Sequence, residues 1–125
     1  MSFTLYRIEH SEINSTHCGI IGQGPYTTSL KSDYEILVNM IDEHNTSSSH
    51  PSLRNDIIDY SRLDYEDARN YYCAFDSMEK LNNWFKDYVI ELLAIGFTIK
   101  EYKVKIYLNG MSDLQCFFKP QNIIQ

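Results

Sequence analysis

The most regular pattern in this sequence is an apolar stripe between a serine at position 77 and a glycine at position 96. The stripe recurs at spacings of three and four residues, as on one face of an amphipathic helix. Ser77 is a good N-cap, and Gly96 supplies a C-terminal stop. The sequence therefore predicts a main core helix from Ser77 to Ile95, with a stripe formed by Leu81, Trp84, Phe85, Tyr88, Val89, Leu92 and Leu93.

Strand patterns lie at both ends of the chain. Residues 3–9 mix aromatic and β-branched side chains in rough alternation, which is typical of a strand. A longer strand is predicted from Phe97 to Leu108, where the apolar parity changes and indicates a bulge or bend near Lys100. Asn109 and Gly110 begin a turn, and a last strand over 114–119 can return antiparallel.

A second helix is predicted in the first half of the chain, because Tyr34, Leu37, Val38 and Ile41 recur at helical spacing, with Ser32 or Asp33 as an N-cap. No clean period is found over residues 53–72. A strand first, helices in the middle and a hairpin last indicate an α+β fold. We expect one domain over residues 1–125, in which the N-terminal strand and the C-terminal hairpin form a small, mainly antiparallel sheet packed against two or three helices.

Composition narrows the class of protein. The 125 residues carry a net charge of −6, which argues against direct nucleic-acid binding and is compatible with a basic protein partner. Cys18, Cys73 and Cys116 are odd in number and widely spaced, so they are predicted to be reduced thiols. No stretch is long enough to span a bilayer, and the N-terminus lacks the features of a signal peptide. We expect an intracellular, cytoplasmic protein.

The strongest candidate for a ligand site combines the first strand with a glycine-rich loop. Glycines let a ligand approach the backbone closely, and the Arg7 guanidinium could hold a pyrophosphate or a carboxylate. The alternative is that Arg7 pairs with Glu9 or Glu12 and that the glycines only make turns. The ligand-binding candidates are Tyr6, Arg7, Gly22, Gly24, Tyr26 and Ser29.

The order of Tyr6-Arg7 on a first strand and a G-x-G-x-Y-x-x-S loop at 22–29 resembles the NAD-binding half of small ADP-ribosyltransferase-type domains. The resemblance implies an enzyme that uses NAD to modify a host protein, with Arg7 and Gln115 as catalytic candidates. Those domains carry a late glutamate where this chain has Gln115, and an amide cannot stabilise an oxocarbenium ion as a carboxylate can. NAD is expected only under this alternative, and otherwise no cofactor is expected.

A second resemblance covers more of the chain. The segments Leu5 to His10, Gly24 to Tyr26, Cys73 to Ser77, Gly96 to Ile99 and Gln115 to Phe117 resemble small phage and prophage proteins. The resemblance brings no activity with it. It implies a phage-type accessory protein in the host cytoplasm that binds and modulates or inhibits a host protein or ribonucleoprotein complex, for instance a defence system such as CRISPR-Cas.

An acidic, tyrosine-rich stretch is the predicted partner-binding surface. Tyrosine is favoured at protein interfaces, and dense carboxylates suit a basic partner. The alternative is a solvated acidic face. No metal site is predicted, because the chain has neither EF-hand spacing nor an H-E-x-x-H motif. The partner-binding candidates are Asp56, Asp59, Tyr60, Asp64, Tyr65, Glu66 and Asp67.

Overall fold

The computed structural model describes residues 2–10, 21–26, 28, 34–46, 53–57, 70–86 and 88–124. It contains small antiparallel sheets together with helices, which is an α+β fold and confirms the predicted class. The elements are β1 (Phe3–His10), α1 (Glu35–Thr46), α2 (Leu53–Asp56), β2 (Tyr72–Ala74), α3 (Met78–Phe85), α4 (Val89–Ala94), β3 (Phe97–Val104), β4 (Leu108–Asn109), β5 (Cys116–Phe118) and a 3-10 turn (Pro120–Asn122).

Two small antiparallel sheets form the centre of the described structure. One consists of β1 and β3, and the other has the strand order β2-β5-β4. The sheets meet where Tyr6 and Phe75 exchange two backbone hydrogen bonds of 2.8 and 2.9 Å. The N-terminal strand and the C-terminal hairpin therefore lie in two joined sheets, and the predicted single sheet is divided between them.

Strand β1 is covered on both faces, because successive residues of a strand point to opposite sides. Ile8 packs in a helix-side cluster with Leu37 of α1 and Trp84 of α3. Leu5 packs in a hairpin-side cluster with Phe118 of β5. Each fully buried side chain of this size contributes about 1.5–3 kcal/mol through removal from water. The central strand is thus stabilised from two directions.

The prediction of a bulge near Lys100 is wrong. The pairing of β1 with β3 runs without interruption from Phe3 opposite Val104 to His10 opposite Phe97. The change of apolar parity has another cause: Phe97 belongs to the helix-side cluster, whereas Tyr102 and Val104 belong to the hairpin-side cluster. The covered face of the strand changes along its length, while its register does not.

The predicted long strand ends four residues early, at Val104. Beyond it the chain leaves the first sheet, and the Lys105 backbone N–H donates to the Asn122 carbonyl at 2.9 Å. Leu108 and Asn109 then pair with β5, opposite Phe117 and Cys116. The predicted hairpin is confirmed, but its first strand belongs to the second sheet.

The main core helix is capped as predicted but is not continuous. The Ser77 Oγ accepts a hydrogen bond from the Lys80 backbone N–H at 3.1 Å. After Phe85 the helix is interrupted, and the Tyr88 N–H donates to the Phe85 carbonyl only three residues back. The tighter turn separates α3 from α4, and Leu93 of the predicted stripe is 45% exposed.

Helix α1 confirms the second predicted helix, with a different buried stripe. Leu37 and Met40 are buried, whereas Val38 and Tyr34 are 43% and 38% exposed. The predicted N-cap residues, at positions 32 and 33, lie outside the described residues. None of the helices in the described part of the chain is long and apolar enough to cross a membrane.

Gly96 should be intolerant of a side chain. Its φ of +107° is strained for other residues, and an added Cβ would lie 2.5 Å from the His10 ring. We expect Gly96→Ala to lower the free energy of unfolding by about 1–3 kcal/mol, measured by urea denaturation. The exposed Thr98→Ala should change it by less than about 0.5 kcal/mol. Equal stability of the two variants would contradict this assignment.

Candidate functional site

Arg7 lies on the hairpin-side face of β1 and is only 7% exposed. Its Nε donates to Glu9 Oε2 at 3.1 Å, Nη1 donates to the Cys73 carbonyl, and Nη2 donates to the Gly22 carbonyl at 3.3 Å. The guanidinium carbon lies 5.4 Å from the centre of the Tyr72 ring. Each guanidinium nitrogen therefore has an acceptor within the protein.

Glu9 completes a buried polar network around Arg7. The residue is 3% exposed, and its Oε1 accepts a 2.7 Å hydrogen bond from the Tyr102 hydroxyl. The Lys100 ammonium lies 3.6 Å from the same oxygen. Of the two interpretations of Arg7, the structure confirms the one in which Arg7 pairs with Glu9. A buried charge is tolerated only when it is paired and hydrogen-bonded, and both residues meet that condition.

The two glycines of the loop allow it to approach β1 closely. A Cβ at Gly22 would lie 2.8 Å from the His10 carbonyl oxygen, and one at Gly24 would lie 3.3 Å from Arg7 Nη2. The first distance leaves no space for a side chain. In this structure, the glycines therefore accommodate β1 and its arginine.

The tyrosines of the predicted ligand site lie elsewhere. Tyr6 and Tyr26 both pack against the helix-side cluster, on the face of β1 opposite Arg7. The Tyr26 hydroxyl accepts a 2.8 Å hydrogen bond from Trp84 Nε1, and its ring stacks on Phe85. Ser29 lies outside the described residues. The structure thus brings Arg7, Gly22 and Gly24 together but separates them from both tyrosines.

Gln115 and Asp56 form a second buried polar contact, which we call the Asp56 clamp. Asp56 is 2% exposed, and its carboxylate accepts hydrogen bonds from the Ser112 backbone N–H at 2.7 Å, the Ser112 hydroxyl at 2.9 Å and Gln115 Nε2 at 3.1 Å. Its backbone carbonyl accepts from the Met111 N–H at 2.7 Å. One residue therefore fixes the loop between β4 and β5.

The clamp changes the interpretation of two candidate residues. Gln115, the predicted catalytic residue, donates to Asp56, and Asp56 is buried instead of lying on the expected acidic surface. The sequence could not separate Asp56 from its neighbours, because a buried aspartate and an exposed one look alike without their partners. NAD binding at Arg7 and Gln115 remains a prediction. The other acidic-stretch candidates, Asp59, Tyr60, Asp64, Tyr65, Glu66 and Asp67, lie outside the described residues.

Sequence reasoning missed a set of exposed apolar side chains on and beside the β4–β5 hairpin. Ile106 is 57% exposed, Leu108 37%, Met111 65% and Leu114 40%. We call these four residues the apolar hairpin surface. A usable signal was present for two of them, because Met111 and Leu114 flank the turn-forming Ser112 and Asp113, and turns lie at the surface.

The described residues contain neither a thiol with a lowered pKa nor a cluster of metal ligands. Cys73 and Cys116 are free thiols, as predicted. Burial raises the pKa of the Cys73 thiol to about 11, partly opposed by Arg7, and burial also raises the pKa of Cys116. Both thiols are protonated at neutral pH, whereas the thiolate is the nucleophile. Within the same described ranges, no three His, Cys, Asp or Glu side chains are grouped so as to hold a metal ion.

The Arg7 network should be a major source of stability. Arg7→Ala leaves the Glu9 carboxylate buried without its main partner, and we expect a loss of about 3–5 kcal/mol in the free energy of unfolding. Arg7→Lys keeps the charge but lacks the planar fork, so an intermediate loss is expected. Urea denaturation at pH 7 measures both. Lys100→Ala is the control, since a half-exposed pair contributes at most about 1 kcal/mol. An Arg7→Ala variant as stable as this control would refute the interpretation.

The Asp56 clamp should determine the order of the hairpin loop. Asp56→Ala removes the acceptor of the Ser112 N–H and the Gln115 amide, and each unsatisfied donor costs about 1–3 kcal/mol. We expect the Ser112 amide to exchange with solvent faster than in the wild type, as measured by hydrogen-exchange NMR. Asp113→Asn is a matched control, because Asn tolerates the φ of +60° at this exposed position. Unchanged exchange in Asp56→Ala would show that the loop is held by other contacts.

Among curated proteins and among solved structures, none matches the chain. A family model described as Bacteriophage T4 Y00F protein matches residues 1–125, the whole sequence. This agrees with the resemblance to phage proteins. The chain belongs to the Bacteriophage T4 Y00F protein family.

Proposed function

We propose that this phage protein is an accessory protein that binds and modulates a host protein or ribonucleoprotein complex, and that the apolar hairpin surface is a principal contact. The observation that carries the proposal is the combination of exposed apolar side chains with a loop fixed from inside. Exposed apolar groups concentrated in one segment are typical of interaction sites. The family match supports the phage setting.

The hairpin loop is held in one conformation by contacts that leave its apolar side chains exposed. The Gly110 N–H donates to the Gln115 carbonyl at 2.8 Å, and the Leu114 N–H donates to Ser112 Oγ at 3.1 Å. Together with the Asp56 clamp, these bonds fix the backbone on which Met111 and Leu114 are presented. A loop that is already ordered loses less conformational entropy on binding than a flexible one. This arrangement therefore favours recognition of a partner over a purely structural role.

The acidic stretch is a predicted second contact in addition to the hairpin loop. Asp59, Asp64 and Asp67, with the adjacent tyrosines, remain a predicted second contact that would attract a basic region of the same partner. Host defence complexes such as CRISPR-Cas are the first targets to test, because inhibition of a defence system is a role that a phage accessory protein can have. Under this proposal, no cofactor is required.

A comparison of variants in host lysate tests the proposal. Tagged wild-type protein, a Met111→Ser/Leu114→Ser variant and an Ile90→Ser/Leu93→Ser variant are used for affinity purification, and the retained proteins are quantified by mass spectrometry. Ile90 and Leu93 are exposed apolar residues of α4, 84% and 45% accessible, so the second pair is a matched control. We expect the hairpin variant to lose a specific partner by about tenfold or more, since loss of apolar anchors costs at least about 1.4 kcal/mol.

Two outcomes would contradict this assignment. If wild-type protein retains nothing above the tag alone, host binding is refuted for that lysate. If the partner is retained equally by the hairpin variant, the apolar hairpin surface is not the contact. An Asp59→Asn/Asp64→Asn/Asp67→Asn variant, tested in parallel, reports whether the acidic stretch takes part.

A further inference from the structure

A small pocket lies beside the apolar hairpin surface. Its volume is about 80 Å³. Tyr71, Ile106, Leu108, Phe117 and Asn122 are among its lining residues. Its walls are mainly apolar, so it suits an aliphatic side chain better than a polar group.

One lysine lines this pocket, and two more lie on the neighbouring segment 103–105. Lys119 contributes to its lining, and its Nζ lies 5.0 Å from the centre of the Tyr71 ring. Lys105 is exposed beside Ile106, and its backbone N–H is bonded to Asn122 of the lining. Lys103 is exposed, and its carbonyl accepts from the Ile124 N–H at 2.7 Å. These backbone contacts hold the 103–105 segment against residues 122–124, next to the pocket lining.

The C-terminal segment that supplies most of the pocket lining is basic, although the whole protein is acidic. Residues 97–125 contain four lysines and two acids, a net charge of +2, whereas the chain carries −6. One of the two acids, Asp113, is paired with Lys80 at 3.1 Å. A partner segment at the pocket would therefore meet Lys119 in its lining, and the exposed Lys105 next to Ile106 in the chain.

We propose that this pocket binds an aliphatic side chain from an acidic segment of the host partner, with Lys119 and Lys105 attracting the flanking carboxylates. The inference rests on the proposed function and names the chemistry of the partner. The apolar anchor fills the pocket, and the lysines orient the segment and accelerate its encounter with the protein. A nucleic acid would also be attracted by lysines, but the whole chain carries −6, which disfavours a polyanion over a short acidic segment.

Peptide titration of the full chain, followed by methyl NMR of Ile106 and Leu108, tests this proposal. The probes are a capped Asp-Glu-Leu-Leu-Asp-Glu peptide, a version with Ser in place of Leu, a version with Lys in place of each acid, and a ten-nucleotide oligo(dT). We expect only the acidic leucine peptide to shift both methyl signals. Its affinity should fall with rising salt, because the charge contacts are at the surface.

Matched variants test the apolar lining of the pocket and its lysine separately. Ile106→Ser should weaken the acidic leucine peptide about tenfold, whereas Ile90→Ser on α4 should not. Lys119→Gln should weaken it about threefold and reduce its salt dependence, whereas Lys86→Gln, at an exposed position after α3, should not. Circular dichroism and urea denaturation confirm that each variant is folded.

Several results would overturn the proposal. These are the absence of shifts with the acidic leucine peptide at its solubility limit, equal binding of the basic or serine peptide, and displacement of the peptide by oligo(dT). A host partner that is lost by Met111→Ser/Leu114→Ser but kept by both Ile106→Ser and Lys119→Gln would refute the pocket and leave the proposed function standing. Loss of the partner in none of these variants would refute both the pocket and the apolar hairpin surface as contacts.

Discussion

The buried pair of Arg7 and Glu9 is the constraint on which the arrangement around β1 depends. A guanidinium with little access to water needs acceptors for its N–H donors. Arg7 donates to acceptors on β1, on β2 and at Gly22. The same interaction therefore fixes β2 and the glycine-containing segment against the first strand. Glu9 extends the network to β3 through the Tyr102 hydroxyl. Three strands meet at one pair of charges.

The apolar clusters act on the two sides of this polar layer. The helix-side cluster packs α1, α3 and α4 on one face of β1, and the hairpin-side cluster packs β5 and the end of β3 on the other. Because β1 is buried on both faces, its polar residues are enclosed as well as its apolar ones. Arg7 and Glu9 depend on each other, because removal of either one would leave the other buried without the charged partner to which it is hydrogen-bonded.

The Asp56 clamp repeats the same physical solution at the hairpin. A buried carboxylate accepts three side-chain or backbone donors from the 110–115 loop, so that the loop is ordered by contacts beneath it. Because these buried contacts hold the loop, its exposed side chains are not needed to order it and can be apolar. The structure thus combines an ordered backbone with exposed apolar residues, and the proposed binding function rests on this combination.

The sequence by itself determined the local features: the α+β class, the cap at Ser77, the stop at Gly96, the helix that contains Leu37 and the C-terminal hairpin. These depend on side-chain spacing and backbone preference within a few residues, so no distant partner is needed to predict them. Tertiary structure decided the rest. The interruption between α3 and α4, the unbroken register of β3 and the burial of Asp56 depend on which surfaces meet, and Gln115 acquired its partner from a residue 59 positions earlier. Spacing along the chain carries no information about such contacts, because burial is a property of the folded neighbourhood and not of the residue type.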